Sequence, residues 1–182
     1  MICATSGNRS GAGDDQRDMR WQTAGPWLAT GARLLVGGVF LVAGLLKFPD
    51  PAAVERAVRA YRLLPEALVP PVAFGLPVVE VAVGLALLAG VFVRTAALAS
   101  AVLLVLFLVG VGSAWARGLR IDCGCFGDGG EVGAGKTAYP AEIARDVGLL
   151  LVALALARWP ASRLALGVPV RSDDHEEYVD AR

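Results

Sequence analysis

The chain has 182 residues, enough for one domain, and its Lys+Arg and Asp+Glu counts cancel at 17 each. Hydrophobic residues make up 55% and mean hydropathy is +0.57, more apolar than a typical soluble domain. The balanced charge argues against a nucleic-acid partner, and three cysteines are too few for a disulfide framework. The 22 glycines and 10 prolines suit membrane spans, where both residues are more frequent than in soluble helices.

Residues 1–25 are polar and carry mixed charges, with Arg9, Arg17 and Arg20 set against Asp14, Asp15 and Asp18. They lack the apolar core of a secretory signal and read as a disordered tail. Translation could begin at Met1 or at Met19, a choice that intact mass of the native protein resolves. The membrane domain is expected over residues 26–160, and a second disordered tail over 161–182.

A first helix is expected from about Trp27 to Phe48, uncharged between Leu34 and Leu46. It reaches the roughly 20 residues that a bilayer core requires only if Arg33 is tolerated near one end. Asp50-Pro51 stops it. Between Ala52 and Leu64, apolar Val54, Val58, Tyr61 and Leu64 alternate with Glu55, Arg56, Arg59 and Arg62 at helical spacing. That segment reads as a short amphipathic helix on the membrane surface or folded onto the bundle. Pro65 and Pro70-Pro71 break it.

A second span is expected from about Pro71 to Val93, with Glu80 as its one charge. A third, Thr95 to Ala116, carries no charge. The connection Arg117–Ala138 contains seven glycines and reads as irregular. A fourth helix is expected from about Tyr139 to Trp159, opening on Pro140 and carrying Glu142, Arg145 and Asp146 in its first two turns. The expected fold is an all-α membrane protein, an antiparallel bundle of four transmembrane helices with one amphipathic helix between the first two. Gly37, Gly38, Ala43, Gly44, Gly84 and Ala86 offer close helix approach.

Both termini fall on one side of such a bundle, and the amphipathic segment and cysteine loop on the other. The positive-inside rule weighs for a cytoplasmic loop. Redox compartment weighs for an extracytoplasmic one. The second argument is favoured, giving a multi-pass plasma-membrane protein with cytoplasmic termini.

Cys123 and Cys125 flank Gly124 on that loop. A disulfide needs Cα atoms about 4.4–6.8 Å apart, which this spacing meets only through a turn that Gly124 permits. Strain in so small a ring makes a disulfide more oxidising and exchangeable, suited to passing equivalents to a partner thiol on an accessible loop. Arg120 favours a thiolate there and Asp122 opposes it. Two plainer readings stand beside this one: small inert residues in a glycine turn, or half of a metal site. Zinc wants four ligands, and the one histidine, His175, lies in the far tail, so no metal is assigned. Cys3, in the leader, reads as incidental.

Glu80 is the second candidate, because a carboxylate within a span needs a partner. Arg145 lies about 5 Å from its depth by helical rise and is the expected partner. The pair reads either as a structural ion pair or as a proton-handling or quinone-contacting group.

The order Arg33, GGVFLVAGLLKFPDP, PVVEVAVGLALLAG, IDCGCFG, Ala141-Glu142 and Arg145-Asp146 resembles the DoxX-like membrane proteins, and within them the MauE branch. The resemblance covers about Gly31 to Trp159. It implies that Cys123 and Cys125 are a redox pair and that Lys47, Glu80 and Arg145, with Asp146 beside it, form a polar interior. It further implies a role in maturing methylamine dehydrogenase beside a thioredoxin-like partner, hence a link to methylamine metabolism. The architecture also resembles quinone-linked disulfide-forming enzymes, so a quinone is the cofactor considered, although the second cysteine pair of those enzymes is missing from this sequence. Three functions follow as expectations. The first is a membrane thiol–disulfide relay with oxidoreductase activity. The second is a non-catalytic anchor or assembly subunit of a redox complex, and the third a small proton-coupled transporter using Glu80. Oligomeric state is left open.

Overall fold

The computed structural model describes the backbone of residues 11–125, 129–133 and 137–159, and within them the side chains from Trp27 onward. Cys3, His175 and the expected C-terminal tail lie outside the described residues. Among the described residues there are five α-helices: α1 (Gly11–Lys47), α2 (Pro51–Ala60), α3 (Val69–Ala89), α4 (Val93–Ala116) and α5 (Tyr139–Arg158). A single 3-10 turn, Glu66–Leu68, leads into α3. α1 begins at Gly11, upstream of the expected Trp27, and so extends into the segment read as a tail.

α1 packs on α3 and α5, and α4 packs on the same two helices, so α1, α3, α4 and α5 close into an antiparallel bundle. The chain is an all-α membrane protein. Among the described residues, three segments are long and apolar enough to cross a membrane: Trp27–Lys47, Glu66–Ala89 and Val93–Ala116. α5 completes the bundle but carries Glu142, Arg145 and Asp146 in its first two turns. Large apolar side chains on the outer faces, among them Leu85, Val102, Val109 and Leu151, remain exposed on the protein, as lipid contact requires.

Pro51 begins α2 one residue after Asp50, whose carboxylate accepts from the Ala53 N–H at 2.9 Å. α2 buries Ala53, Val54 and Ala57 and leaves its arginines outward. It lies against α3 and against a small hairpin that the glycine-rich loop forms. The hairpin pairs β1 (Ile121–Cys123) antiparallel with β2 (Gly129–Glu131), in the register Ile121↔Glu131, Asp122↔Gly130 and Cys123↔Gly129. The expectation of a wholly irregular loop is thereby corrected. Strands of three residues are too short to show an alternating pattern, and glycine hides what little there is.

The bundle is tightest where glycines of α1 and α3 meet. A Cβ on Gly84 would lie 2.7 Å from the Leu41 backbone nitrogen, and one on Gly44 would lie 2.7 Å from Val81 Cγ2. A Cβ on Gly37 would meet Leu87 Cβ at 3.0 Å. Gly38, expected at this seam, would meet nothing within 4 Å and does not belong to it. Gly84→Ala is therefore expected to destabilise the detergent-solubilised protein by about 1–3 kcal/mol through overpacking. Gly38→Ala should be neutral or stabilising by helix propensity. Equal thermal midpoints for the two variants would remove this seam from the account.

Candidate functional site

The cysteine loop is pinned from three directions. Tyr139, at the start of α5, donates its hydroxyl to the Leu119 carbonyl at 2.7 Å and accepts from the Ile121 N–H at 3.2 Å. Tyr61, the residue that caps α2, donates to the Cys123 carbonyl at 3.0 Å. Arg117, just past α4, donates to the Tyr61 carbonyl at 2.5 Å and so fixes the end of α2. Gly129 fits against Ala57 and Gly124 so closely that a Cβ there would stand 2.5 Å from Ala57 Cβ. The hairpin can therefore lie flat on α2 only with glycine at that position.

Gly124 has φ of +68°, the left-handed turn that the spacing predicts. Asp122 Oδ1 accepts from the Gly124 N–H at 3.0 Å and holds the turn. Both cysteines are free thiols. The expectation of an openly accessible pair is corrected: Cys125 is buried at 9% exposure and Cys123 is half-buried. The two sulfurs are not equivalent. Cys123 Sγ accepts from the Cys125 backbone N–H at 3.4 Å. The hydrogen bond from the Cys125 side chain holds the Cys123 thiol below the ordinary cysteine range, against the effect of burial. The same hydrogen bond, reinforced by burial, pushes the Cys125 thiol far above that range. Cys123 is thus the sulfur poised to become a thiolate, and Cys125 the one that keeps its proton.

Under the pair lies a cavity of about 350 Å³, bounded by α2, α3, α4 and the hairpin turn. Its walls are largely apolar, with Leu76, Leu106 and Phe107 on the bundle side and Val54, Val58 and Tyr61 on α2. Cys123, Gly124 and Cys125 close one side, and Lys47 also lines it.

Lys47 is the partner of Glu80. Its Nζ lies 2.6 and 2.7 Å from the two carboxylate oxygens, with 2% and 1% of the side chains exposed. The expected Glu80–Arg145 pair does not form. Gly44 packs on Pro77 and Val81, so Lys47 stands one turn beyond the level of Glu80. Side chains of a helix lean toward its N-terminus, which carries the ammonium back to that level. Nζ also sits 5.7 Å from the Phe107 ring centroid of α4. Arg145 binds Asp146 instead, Nε to Oδ1 at 2.9 Å, and both charges lie close enough to act on the cysteines. The four residues expected to form one polar interior therefore fall into two pairs: Lys47–Glu80 at the cavity and Arg145–Asp146 beside the thiols.

Four residues of the site are not marked as such in the sequence. Tyr61 reads there as part of an apolar stripe, Tyr139 as a helix start, and Arg117 as a flanking charge. Glu142 is visible only within the Ala141-Glu142 motif. The Cys123 sulfur and carboxylate oxygens of Asp122 and Glu142 all lie within 4.8 Å of one another. Among the described residues these three atoms are the ligand set, and one of them, on Asp122, belongs to a carboxylate engaged in the turn. Glu142 is the carboxylate of this cluster that the turn does not engage, and it lies within 4.8 Å of the Cys123 sulfur.

The family model for methylamine utilisation protein MauE matches residues 25–159, which takes in every element of this site. The chain belongs to the MauE family. A curated relative, the methylamine utilization protein MauE of Paracoccus denitrificans, is 35% identical over 105 residues. That match covers 57% of this chain and 56% of the relative, so the chain spans little more than half the length of the MauE protein it matches. No solved structure matches.

The ion pair yields a direct test. Glu80→Gln leaves a buried ammonium without its counter-ion and should cost about 3–5 kcal/mol in unfolding from detergent. Lys47→Met combined with Glu80→Leu should recover most of that loss, because no charge is then left buried. A double variant as unstable as the single one would contradict the pairing.

Proposed function

We propose that this chain is a thiol–disulfide relay, in which Cys123 exchanges with a thioredoxin-like partner and Cys125 is the leaving group when the pair is attacked and the resolving thiol in the reverse exchange. The observation that carries the reading is the inequality of the two thiols. One is partly exposed, accepts an N–H at its sulfur and is held toward the thiolate. The other is buried and holds its proton. An inert pair in a glycine turn has no need of this division, whereas an exchanging pair requires an attacking and a resolving sulfur.

In the oxidising direction, a partner dithiol meets the Cys123–Cys125 disulfide. A partner thiolate attacks Cys123, and Cys125 departs and takes up a proton. The second partner thiolate then attacks the partner sulfur now bonded to Cys123, and Cys123 departs and takes up the proton that this second thiol gave up. The partner leaves as a disulfide and this chain as a dithiol. To act again, the dithiol must give up two electrons and two protons. The sequence has only Cys3 beyond the pair, so the acceptor is another molecule. The apolar cavity against both sulfurs fits a quinone ring, with the flat Phe107 side chain on one wall and polar groups at its ends. A quinone bound there would supply a two-electron, two-proton sink. The residues of this chain orient it, exclude water and present the thiols.

The family name connects relatives to methylamine utilisation, and the relay is the step we assign to this chain in maturing a disulfide-bearing dehydrogenase. Its place is the plasma membrane, with the cysteine loop on the extracytoplasmic side and both termini in the cytoplasm.

Cys125→Ser should accumulate a reducible mixed disulfide through Cys123 in native membranes, and mass spectrometry should identify a thioredoxin-fold protein in it. Cys123→Ser should trap at least about tenfold less, since Cys125 is buried and protonated. No adduct from either variant would leave the chain as a membrane anchor or assembly subunit.

A further inference from the structure

We infer that Glu142 is the proton acceptor of Cys123, the group that takes the thiol proton as the sulfur attacks and returns it to the departing thiolate. The inference rests on the relay reading and assigns it a residue that the cysteine motif does not contain.

The argument begins with where Glu142 stands. It lies in the first turn of α5, its N–H bonded to the Ala138 carbonyl at 3.0 Å. Tyr139, three residues earlier, ties that turn to the strand that carries Cys123. The carboxylate is therefore held against the sulfur by two anchored elements. A carboxylate oxygen of Glu142 and Cys123 Sγ lie within 4.8 Å of each other, close enough for a proton to pass between them with a small movement of either side chain. Glu142 is 8% exposed, and its Oε2 has no hydrogen-bond partner among the described residues. A buried carboxylate oxygen without a donor is unfavourable, and a proton placed on it relieves the cost.

The surroundings single out Glu142 among the nearby groups. Asp122 Oδ1 is committed to the Gly124 N–H. Asp146 is bound by Arg145 and lies a turn further along α5. Cys125 keeps its own proton, and Tyr61 directs its hydroxyl to the Cys123 carbonyl rather than to the sulfur. Arg145 faces both Glu142 and the thiols as a fixed positive charge. Glu142 is then the uncommitted base within 4.8 Å of the reacting sulfur.

The step balances without another reagent. When reduced Cys123 meets a disulfide, its proton passes to the Glu142 carboxylate and the sulfur attacks. A bond forms between Cys123 and one partner sulfur, and the partner's S–S bond breaks. The departing sulfur carries away the electron pair and collects the proton from Glu142, which is again a carboxylate. The reverse exchange follows the same path.

The test is the pH profile of Cys123 reacting with a small aromatic disulfide, measured on the reduced full-length protein in detergent with wild type, Glu142→Gln and Glu142→Asp. At pH 6, Glu142→Gln should react about 10- to 100-fold more slowly than wild type, at the lower end of what a positioned base contributes. At pH 10 the thiolate forms without help and an adjacent negative charge has been removed, so the variant should equal or exceed wild type. The two profiles therefore cross. Glu142→Asp, which keeps a carboxylate, should recover part of the rate at pH 6. A loss of similar size at both pH values would mean a structural role and overturn the inference. So would a variant faster than wild type throughout, since Glu142 would then be only a repelling charge. Either result leaves the relay itself intact, because mixed-disulfide trapping through Cys123 does not depend on Glu142.

Discussion

Lys47 and Glu80 form an ion pair at 2.6 Å with almost no exposure, inside a bundle whose outer faces are apolar. Its position determines much of what lies around it. The last residue of α1 is Lys47, at a level about two turns short of the start of α3, as the packing of Gly44 on Pro77 and Val81 shows. The early end of α1 leaves a notch over the bundle. α2 fills it from the side by burying Ala53, Val54 and Ala57, and the hairpin lies on α2 through Gly129. What remains between them is the cavity, with the ion pair's lysine at one end and the cysteines at the other. Neither charge can turn to lipid, so the pair fixes α1, α3 and the Phe107 face of α4 in one register.

The cysteine turn inherits its chemistry from that arrangement. A free glycine loop would expose both thiols alike. Here Tyr61, Tyr139 and Arg117 fasten the loop to three helices, so one sulfur faces inward and the other is half-covered. The deeper burial of Cys125, and the Cys125 N–H that the Cys123 sulfur accepts, then separate them into a thiolate former and a proton holder. The same burial sets the sulfurs against an apolar chamber rather than water, which suits an acceptor drawn from the membrane. A carboxylate on the first turn of α5 stands against Cys123, and this places acid–base chemistry and redox chemistry within one turn of each other.

The helices are legible in the sequence because their cause is local. An uncharged run such as Thr95–Ala116 has few alternatives in a bilayer, and the arginines of α2 alternate with its apolar residues. The cysteine turn is legible for a similar reason, since Gly124 is the residue that admits a positive φ. The pairing of Glu80 is not. Counting depth along straight helices favours Arg145, but the answer depends on where α1 ends and on which way its last side chain leans. Glu142 escapes notice because its importance comes from contact with a sulfur on another element. Gly37 and Gly38 look alike in sequence, yet one lies at the α1–α3 seam and the other in open space, a difference set only by helix rotation.

The central claim is that Cys123 and Cys125 are an exchanging pair and not an inert one. Purified full-length protein equilibrated in glutathione buffers of graded potential, with free thiols mass-tagged and counted, tests it most directly. The account predicts a single two-electron transition between dithiol and intramolecular disulfide, well above the roughly −300 mV below which structural disulfides lie. A pair that stays reduced across all oxidising buffers, or one that resists reduction down to that potential, would contradict it.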